Sequence, residues 1–327
     1  TSGTTGEPKG VMHSSNTMMS NLASFATRLG LNENDIVHMP SPIGHQLGFM
    51  YGLILPVMLG ATTVLQDIFD PQAMADQIEA HRVSFTMAAP PFLADFVDHI
   101  ENTGGTTDSL RIFVSAGAPV ARSLVARSRD ILGASVISGW GMSENGAVTI
   151  TRPSDDVDKV TATDGFPLDG MEIDIRREDD SPADIHETGR LFVRGCSNFL
   201  GYFDRPDLVT LDADGWFDTG DFARVDADGY VRITGRSKDI IIRGGENIPV
   251  VEIEDLIVQH PAVHSVAVVA VPHDRLGEQA FAFVVSVEDA DFDIAAMRAH
   301  LKATGTAVQY FPEYLKLVDA LPTTLSG

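Results

Sequence analysis

The stretch VSFTMAAPPFLADFVDHIENTGGTTDSLRIFVSA, residues 83–116, decides the fold. Its first six residues, VSFTMA, form a short uncharged run of the length of a buried strand. PFLADFVDHIEN, residues 91–102, follows with apolar residues at helical spacing, and LRIFVSA, residues 110–116, is a second strand run. Strand, helix and strand in that order form the unit of a parallel sheet, because a crossover must carry the chain back before a parallel neighbour can begin.

The same alternation extends outward. SSNTMMSNLASFATRL, residues 14–29, reads as a helix, DIVHM, residues 35–39, as a strand, and Asp70-Pro71 caps a helix running to Arg82. The uncharged run from Leu47 to Gln66 is long enough to span a bilayer. Gly48, Gly52, Pro56, Gly60, Thr62 and Thr63 divide it, however, so it reads as a buried helix, a glycine stop and the strand ATTVLQ. No transmembrane segment is expected. Ligands of parallel sheets collect at the carboxyl ends of the strands, which places chemistry in two loops, SAGAP at 115–119 and SGWGMSE at 138–144.

Beyond about Pro153 the helical patterns give way to short strands, MEIDIR, RLFVRG, and the pair FARVD and YVRIT around a hairpin at Asp228-Gly229. The strings DADG at 212–215 and 226–229 begin like calcium loops but lack the later ligands, so they read as turns. From near Gly235 a compact α+β pattern follows: a strand III, a Gly244-Gly245 turn, a helix over VVEIEDLIVQ, strands SVAVVAV and AFAFVVSV, and a helix around IAAMRAHLK. The fold class expected is α/β, with a parallel-sheet portion over 1–153, a small β-rich subdomain over 154–235 and a smaller α+β domain over 236–327.

Composition limits the function. The 327 residues are 44% hydrophobic, enough for a sizeable core in more than one domain. The charge of −23 repels nucleic-acid phosphates and anionic membranes, so any polyanionic ligand needs local basic and N–H groups. A single cysteine, Cys196, excludes an intramolecular disulfide and points to a reducing compartment, the cytoplasm; as a residue it reads as small, apolar and buried. The sequence sets no oligomeric state.

The chain opens on TSGTTGEPKG, where hydroxyls, glycines and Lys9 suit a polyphosphate. The spacing is not that of a Walker loop, since Glu7 and Pro8 separate Gly6 from Lys9. The string resembles the phosphate loop of the adenylate-forming superfamily. SAGAP resembles that family's adenine loop, and GWGMSE its aromatic-Gly-x-Thr-Glu segment, with Ser143 where Thr is usual. TGRLFVRGCSNFLGYFDRPD, WFDTGDFA, GRSKDIIIRGGENIPVVEIE and LPTTLSG resemble the later motifs, in the family's order. The detail is nearest to acyl-CoA synthetases for medium-chain fatty or alicyclic acids, of the cyclohexanecarboxylate-CoA ligase type, by SPIGHQLGF, LQDIFDP and GRSKDIIIRGGENI.

The resemblance implies an AMP-forming acyl-CoA ligase using a carboxylic acid, ATP, Mg²⁺ and CoA. It implies that 1–235 are the remainder of a large domain and 236–327 a small mobile one. The family's N-terminal portion and the catalytic lysine after LPTTLSG are then expected to lie outside this sequence, leaving it inactive by itself. Thr1, Ser2, Gly3, Thr4, Thr5 and Lys9 would cradle phosphates, Glu144 would bind Mg²⁺ and Ser143 the α-phosphate. Trp140 would stack on adenine beside Gly117, Ala118, Pro119 and Gly139, while Gly117, Gly141 and Met142 shape the pocket floor and leave room for an acyl group. Asp221 would accept the ribose hydroxyls and Arg236 donate to ribose or phosphate. His45 would line the acyl pocket, Lys238 mark the hinge, and Gly244 and Gly245 flank the pantetheine arm. Taken alone, Glu144 reads as a helix-start carboxylate, Trp140 as a core aromatic, Asp221 and Arg236 as surface ion-pair members and Lys238 as a surface lysine. Two other functions stay open: an adenylation domain loading a carrier protein, and an inactive nucleotide-binding fragment.

Overall fold

The computed structural model describes residues 9–117, 120–209, 211–236, 240–244, 246–287 and 290–322. Residues 83–116 form the strand Phe85–Ala88, the helix Pro90–Thr103 and the strand Ile112–Ser115. The strands pair in parallel, Phe85 opposite Ile112 through to Ala88 opposite Ser115. Leu93, Phe96, Val97 and Ile100 give the helix one buried stripe, and Gly104 in the left-handed region ends it.

This unit sits inside a seven-stranded sheet in the order Thr62–Leu65, Ile36–Met39, Phe85–Ala88, Ile112–Ser115, Ser135–Met142, Gly146–Ile150, Phe166–Pro167. The first five strands are mutually parallel and the last two antiparallel. Successive strand residues face opposite sides, so Ile112 and Val114 join a core with Leu22 and Phe25, while Phe113 joins Phe96 and Met74 on the other face. The helix Ser15–Leu29 starts on a reciprocal capping box between Ser14 and Thr17 and ends at Gly30. The uncharged run resolves into wide helical turns over Gly48–Ile54, an α-helix over Leu55–Leu59, a stop at Gly60 and the strand Thr62–Leu65. No helix among the described residues is long and apolar enough to cross a membrane.

Three readings of the sequence need correction. Residues 138–142 are not a loop. They belong to the strand Ser135–Met142, because that strand runs past the parallel sheet and finds an antiparallel partner in Gly146–Ile150. A helix, Val157–Ala162, follows Pro153, capped by the Asp156 carboxylate accepting from the Lys159 N–H. Cys196 is exposed, since it lies in the turn that leaves the strand Gly189–Gly195.

The β-rich part is a four-stranded antiparallel sheet, Val231–Arg236, Phe217–Val225, Gly189–Gly195, Met171–Arg176. Both DADG strings are turns: Asp212 accepts from the Asp214 and Trp216 N–H groups, and Asp226 from those of Asp228 and Tyr230. Among the described residues no cluster of three or more potential metal-binding side chains exists. The last unit packs the helices Val250–Ile257 and Ile294–Ala303 on a five-stranded sheet around Ile253, Val284, Met297 and Leu301.

Arg232, 6% exposed, joins this last unit to the rest. Its guanidinium lies between Asp164, at 3.6 Å, and Asp255 on the helix Val250–Ile257. A second pair, Arg224 to Glu252 at 2.7 Å, is more open to solvent. Arg232→Met brings two carboxylates together without their shared cation, an arrangement that costs about 3–5 kcal/mol when buried. Arg224→Met should cost less than about 1 kcal/mol. Denaturant unfolding of both variants checks the difference, and equal losses would show that burial does not set the strength of the clamp.

Candidate active site

The site is built on the strand that overruns the sheet. Ser135–Met142 turns at 143–145 into Gly146–Ile150, with a register shift between Trp140 and Gly141. Such a bulge re-aims the side chains next to it. A Cβ on Gly141 would stand 2.1 Å from the Gly146 carbonyl oxygen. The smallness of Gly141 therefore serves the close approach of two strands. Gly117 differs: its φ is 98° and its side-chain position is open, so glycine is there for its backbone angle.

Glu144 occupies the hairpin turn, not a helix start, and is 4% exposed. The Tyr202 hydroxyl donates to its Oε1 at 2.6 Å. Burial, then this bond and the charge of Glu144, push the tyrosine pKa well above its usual range. Tyr202 is fixed in turn because Gly201–Tyr202 pairs antiparallel with Val11–Met12, which brings Lys9 to 4.9 Å above its ring. The Ser143 carbonyl is gripped from two sides, by His13 Nε2 at 2.7 Å and Gln46 Nε2 at 3.0 Å. His45, next to Gln46, receives the Leu47 N–H on Nδ1, and burial lowers its pKa. Behind the turn, Asn21 donates to the Asn145 and Ala147 carbonyls, while Tyr51 donates to Asn21 and accepts from the Ala147 N–H.

Four residues back along the strand lies a second group. Trp140 Nε1 donates to Asp221 Oδ2 at 2.9 Å, and Arg236 Nε lies 3.3 Å from Oδ1. Asp221 is 4% exposed, so it is not a surface ion-pair member. Its pairing with Arg236 follows from register, since the two stand opposite each other on adjacent strands. Trp140 is held by its edge, which leaves the ring's position fixed. Gly117, Gly139, Trp140, Gly141, Asp221 and Arg236 line one cavity of roughly 1000 Å³, which Ile248, Pro249 and Val250 of the last unit also line. This cavity lies between the β-rich sheet and the last unit.

Met142 does not line that cavity but packs against the large core. Gly244 lies apart from it too, in the last unit, with a φ of 62° and its N–H bonded to the Leu276 carbonyl. Thr1, Ser2, Gly3, Thr4, Thr5, Ala118, Pro119, Lys238 and Gly245 lie outside the described residues, as do the last five residues of LPTTLSG. Tyr202, His13, Gln46, Asn21 and Tyr51 were not singled out from the sequence. Tyr202 and Gln46 carried a signal, standing within the quoted runs GYFDRPD and SPIGHQLGF; His13, Asn21 and Tyr51 are recognisable only once the 143–145 turn is seen.

Residues 1–203 match the family described as AMP-binding enzyme, and residues 252–327 the AMP-binding enzyme C-terminal domain. The chain belongs to the AMP-binding enzyme family. It is 36% identical over 330 residues to the medium-chain fatty-acid–CoA ligase of Escherichia coli (strain K12), with all of this chain aligned to 58% of that protein. Among solved structures, ATP-bound MatB from Rhodopseudomonas palustris is similar with a TM-score of 0.91 and 29% identity, over 100% of this chain and 65% of that one. The o-succinylbenzoate CoA synthetase of Bacillus subtilis, in complex with its acyl-adenylate intermediate, gives 0.88 and 28%, over 100% and 66%. The chain thus spans less than two thirds of the length of the E. coli ligase it matches.

Proposed function

We propose that this protein is an AMP-forming acid–thiol ligase, in which a carboxylate attacks the α-phosphate of ATP to give acyl-adenylate and pyrophosphate, and the thiol of CoA then displaces AMP. The observation that carries this reading is the placement of Trp140 and Glu144 four residues apart on one strand and turn. One position leads to Asp221 and Arg236, and the other to Tyr202 and Lys9. A nucleoside held at the first and phosphates at the second would set an α-phosphate beside Ser143. Asp221 retains lone pairs for ribose hydroxyls while accepting from Trp140, since each carboxylate oxygen accepts more than once. Thr1, Ser2, Gly3, Thr4, Thr5 and Lys9 would cradle the β- and γ-phosphates, with Lys9 supplying the positive charge.

Glu144 fits Mg²⁺: a hard carboxylate, with no second-oxygen partner among the described residues, suits an ion that takes one or two carboxylates and completes its shell with phosphates and water. When bound, Mg²⁺ would supply positive charge to the phosphates. Ala118, Pro119 and Gly139 would flank the adenine, and His45 and Met142 would lie toward the acyl group. Lys238 would be the hinge between 1–235 and 236–327, and Gly244 and Gly245 would flank the pantetheine arm. The name of the similar E. coli ligase favours a medium-chain acid, the motifs SPIGHQLGF, LQDIFDP and GRSKDIIIRGGENI favour a medium-chain or alicyclic one, and the lone cysteine favours the cytoplasm. The test incubates the full-length protein with ATP, Mg²⁺ and a medium-chain fatty acid, offering CoA in one reaction and a phosphopantetheinylated carrier protein in the other. Acyl-CoA and AMP in equal amounts are expected; loading of the carrier alone would replace this reading.

A further inference from the structure

We infer that Tyr202 is a positioning residue that presents Glu144 to the metal of the nucleotide complex, an inference that rests on the reading of Glu144 as the Mg²⁺ carboxylate. Glu144 is nearly fully buried, yet its only hydrogen-bond donor among the described residues is the neutral phenol of Tyr202. A buried carboxylate is costly unless a cation or several donors compensate it. One neutral donor does not, so the site is built to receive positive charge. The phenol takes Oε1 and thereby fixes which oxygen, Oε2, is left to face a ligand.

Tyr202 is suited to hold that orientation. Its backbone is paired with Val11, its ring meets Phe199 edge to face at 4.9 Å, and the residue is buried. The Lys9 ammonium stands over the opposite part of the same side chain, so one tyrosine sets the spacing between a cation and a carboxylate that act on the same phosphates. Partners that orient a metal ligand typically influence metal affinity by about 10- to 100-fold.

The test uses Tyr202→Phe, which keeps the ring, its edge contact with Phe199 and the strand pairing. Glu144→Gln is measured beside it. Mn²⁺ is the probe, with its binding to the full-length protein in the presence of α,β-methylene-ATP followed by the loss of the free-ion paramagnetic resonance signal. AMP affinity without metal is the control. The expected result is that Tyr202→Phe weakens Mn²⁺ binding by about tenfold or more while AMP binding stays within twofold. Weakened Mn²⁺ binding in Glu144→Gln with none in Tyr202→Phe would overturn the positioning role and leave the metal reading intact. Unchanged Mn²⁺ binding in Glu144→Gln would instead remove the metal reading itself. Equal losses of Mn²⁺ and AMP affinity in Tyr202→Phe would assign the residue to general structure and also overturn the inference.

Discussion

Glu144→Gln in the full-length protein is expected to slow acyl-adenylate formation by about 10² to 10³, the usual effect of losing one preorganised charge partner at a site of charge transfer. The substitution keeps the size of the side chain and an oxygen that can accept from Tyr202, so the turn at 143–145 should persist. His13 and Gln46 hold that turn through the Ser143 carbonyl, and Asn21 holds it through the Asn145 and Ala147 carbonyls. What is lost is a buried negative charge. Single-turnover formation of acyl-adenylate checks this, with unfolding measured alongside. A rate within tenfold of the wild type would show that the charge does not act in the chemistry.

Asp221→Ala should weaken AMP binding by about 1.5–3 kcal/mol, the range for a hydrogen bond to a charged acceptor, or roughly 10- to 150-fold. Its consequences go beyond a lost ribose contact. The Trp140 indole N–H and the Arg236 guanidinium both lose the acceptor that fixes them against the cavity. In the proposed reaction AMP stays bound through both half-reactions, so adenylation and thioester formation should fall together. Titration of AMP into the variant is the check, and unchanged affinity would count decisively against the ribose assignment. The strands that carry Asp221 and Arg236 pair through backbone groups, which the substitution leaves in place.

The parallel sheet was legible because buried strands and amphipathic helices have different periods, and residues 83–116 display both in sequence. The strand Ser135–Met142 is not legible, and residues 138–144 read as a loop, since GWGM contains two glycines. Those glycines are explained only by the partner strand that presses on them. Trp140, Asp221, Arg236 and Gly117 were named from motifs, and the cavity brings them together although they are far apart in the chain. No pattern in the sequence announces that Asp221 stands opposite Arg236, because that depends on the register of a hairpin with its own bulge. The supports of Glu144 were harder still. Tyr202 reaches it through the pairing of two-residue strands, Val11–Met12 with Gly201–Tyr202, too short to carry any periodic signal. The exposure of Cys196 likewise follows from a turn whose position only the β-sheet sets.

The central claim is that the carboxylate attacks the α-phosphate of ATP on this site. The most direct measurement supplies a medium-chain fatty acid labelled with heavy oxygen in its carboxylate, together with ATP, Mg²⁺ and CoA, and locates the label by mass spectrometry. Attack at the α-phosphate leaves one acid oxygen on the phosphate that departs with AMP, so the account predicts one labelled oxygen in each AMP released and none in pyrophosphate. Label in orthophosphate with ADP as the nucleotide product would place the attack at the γ-phosphate and contradict it.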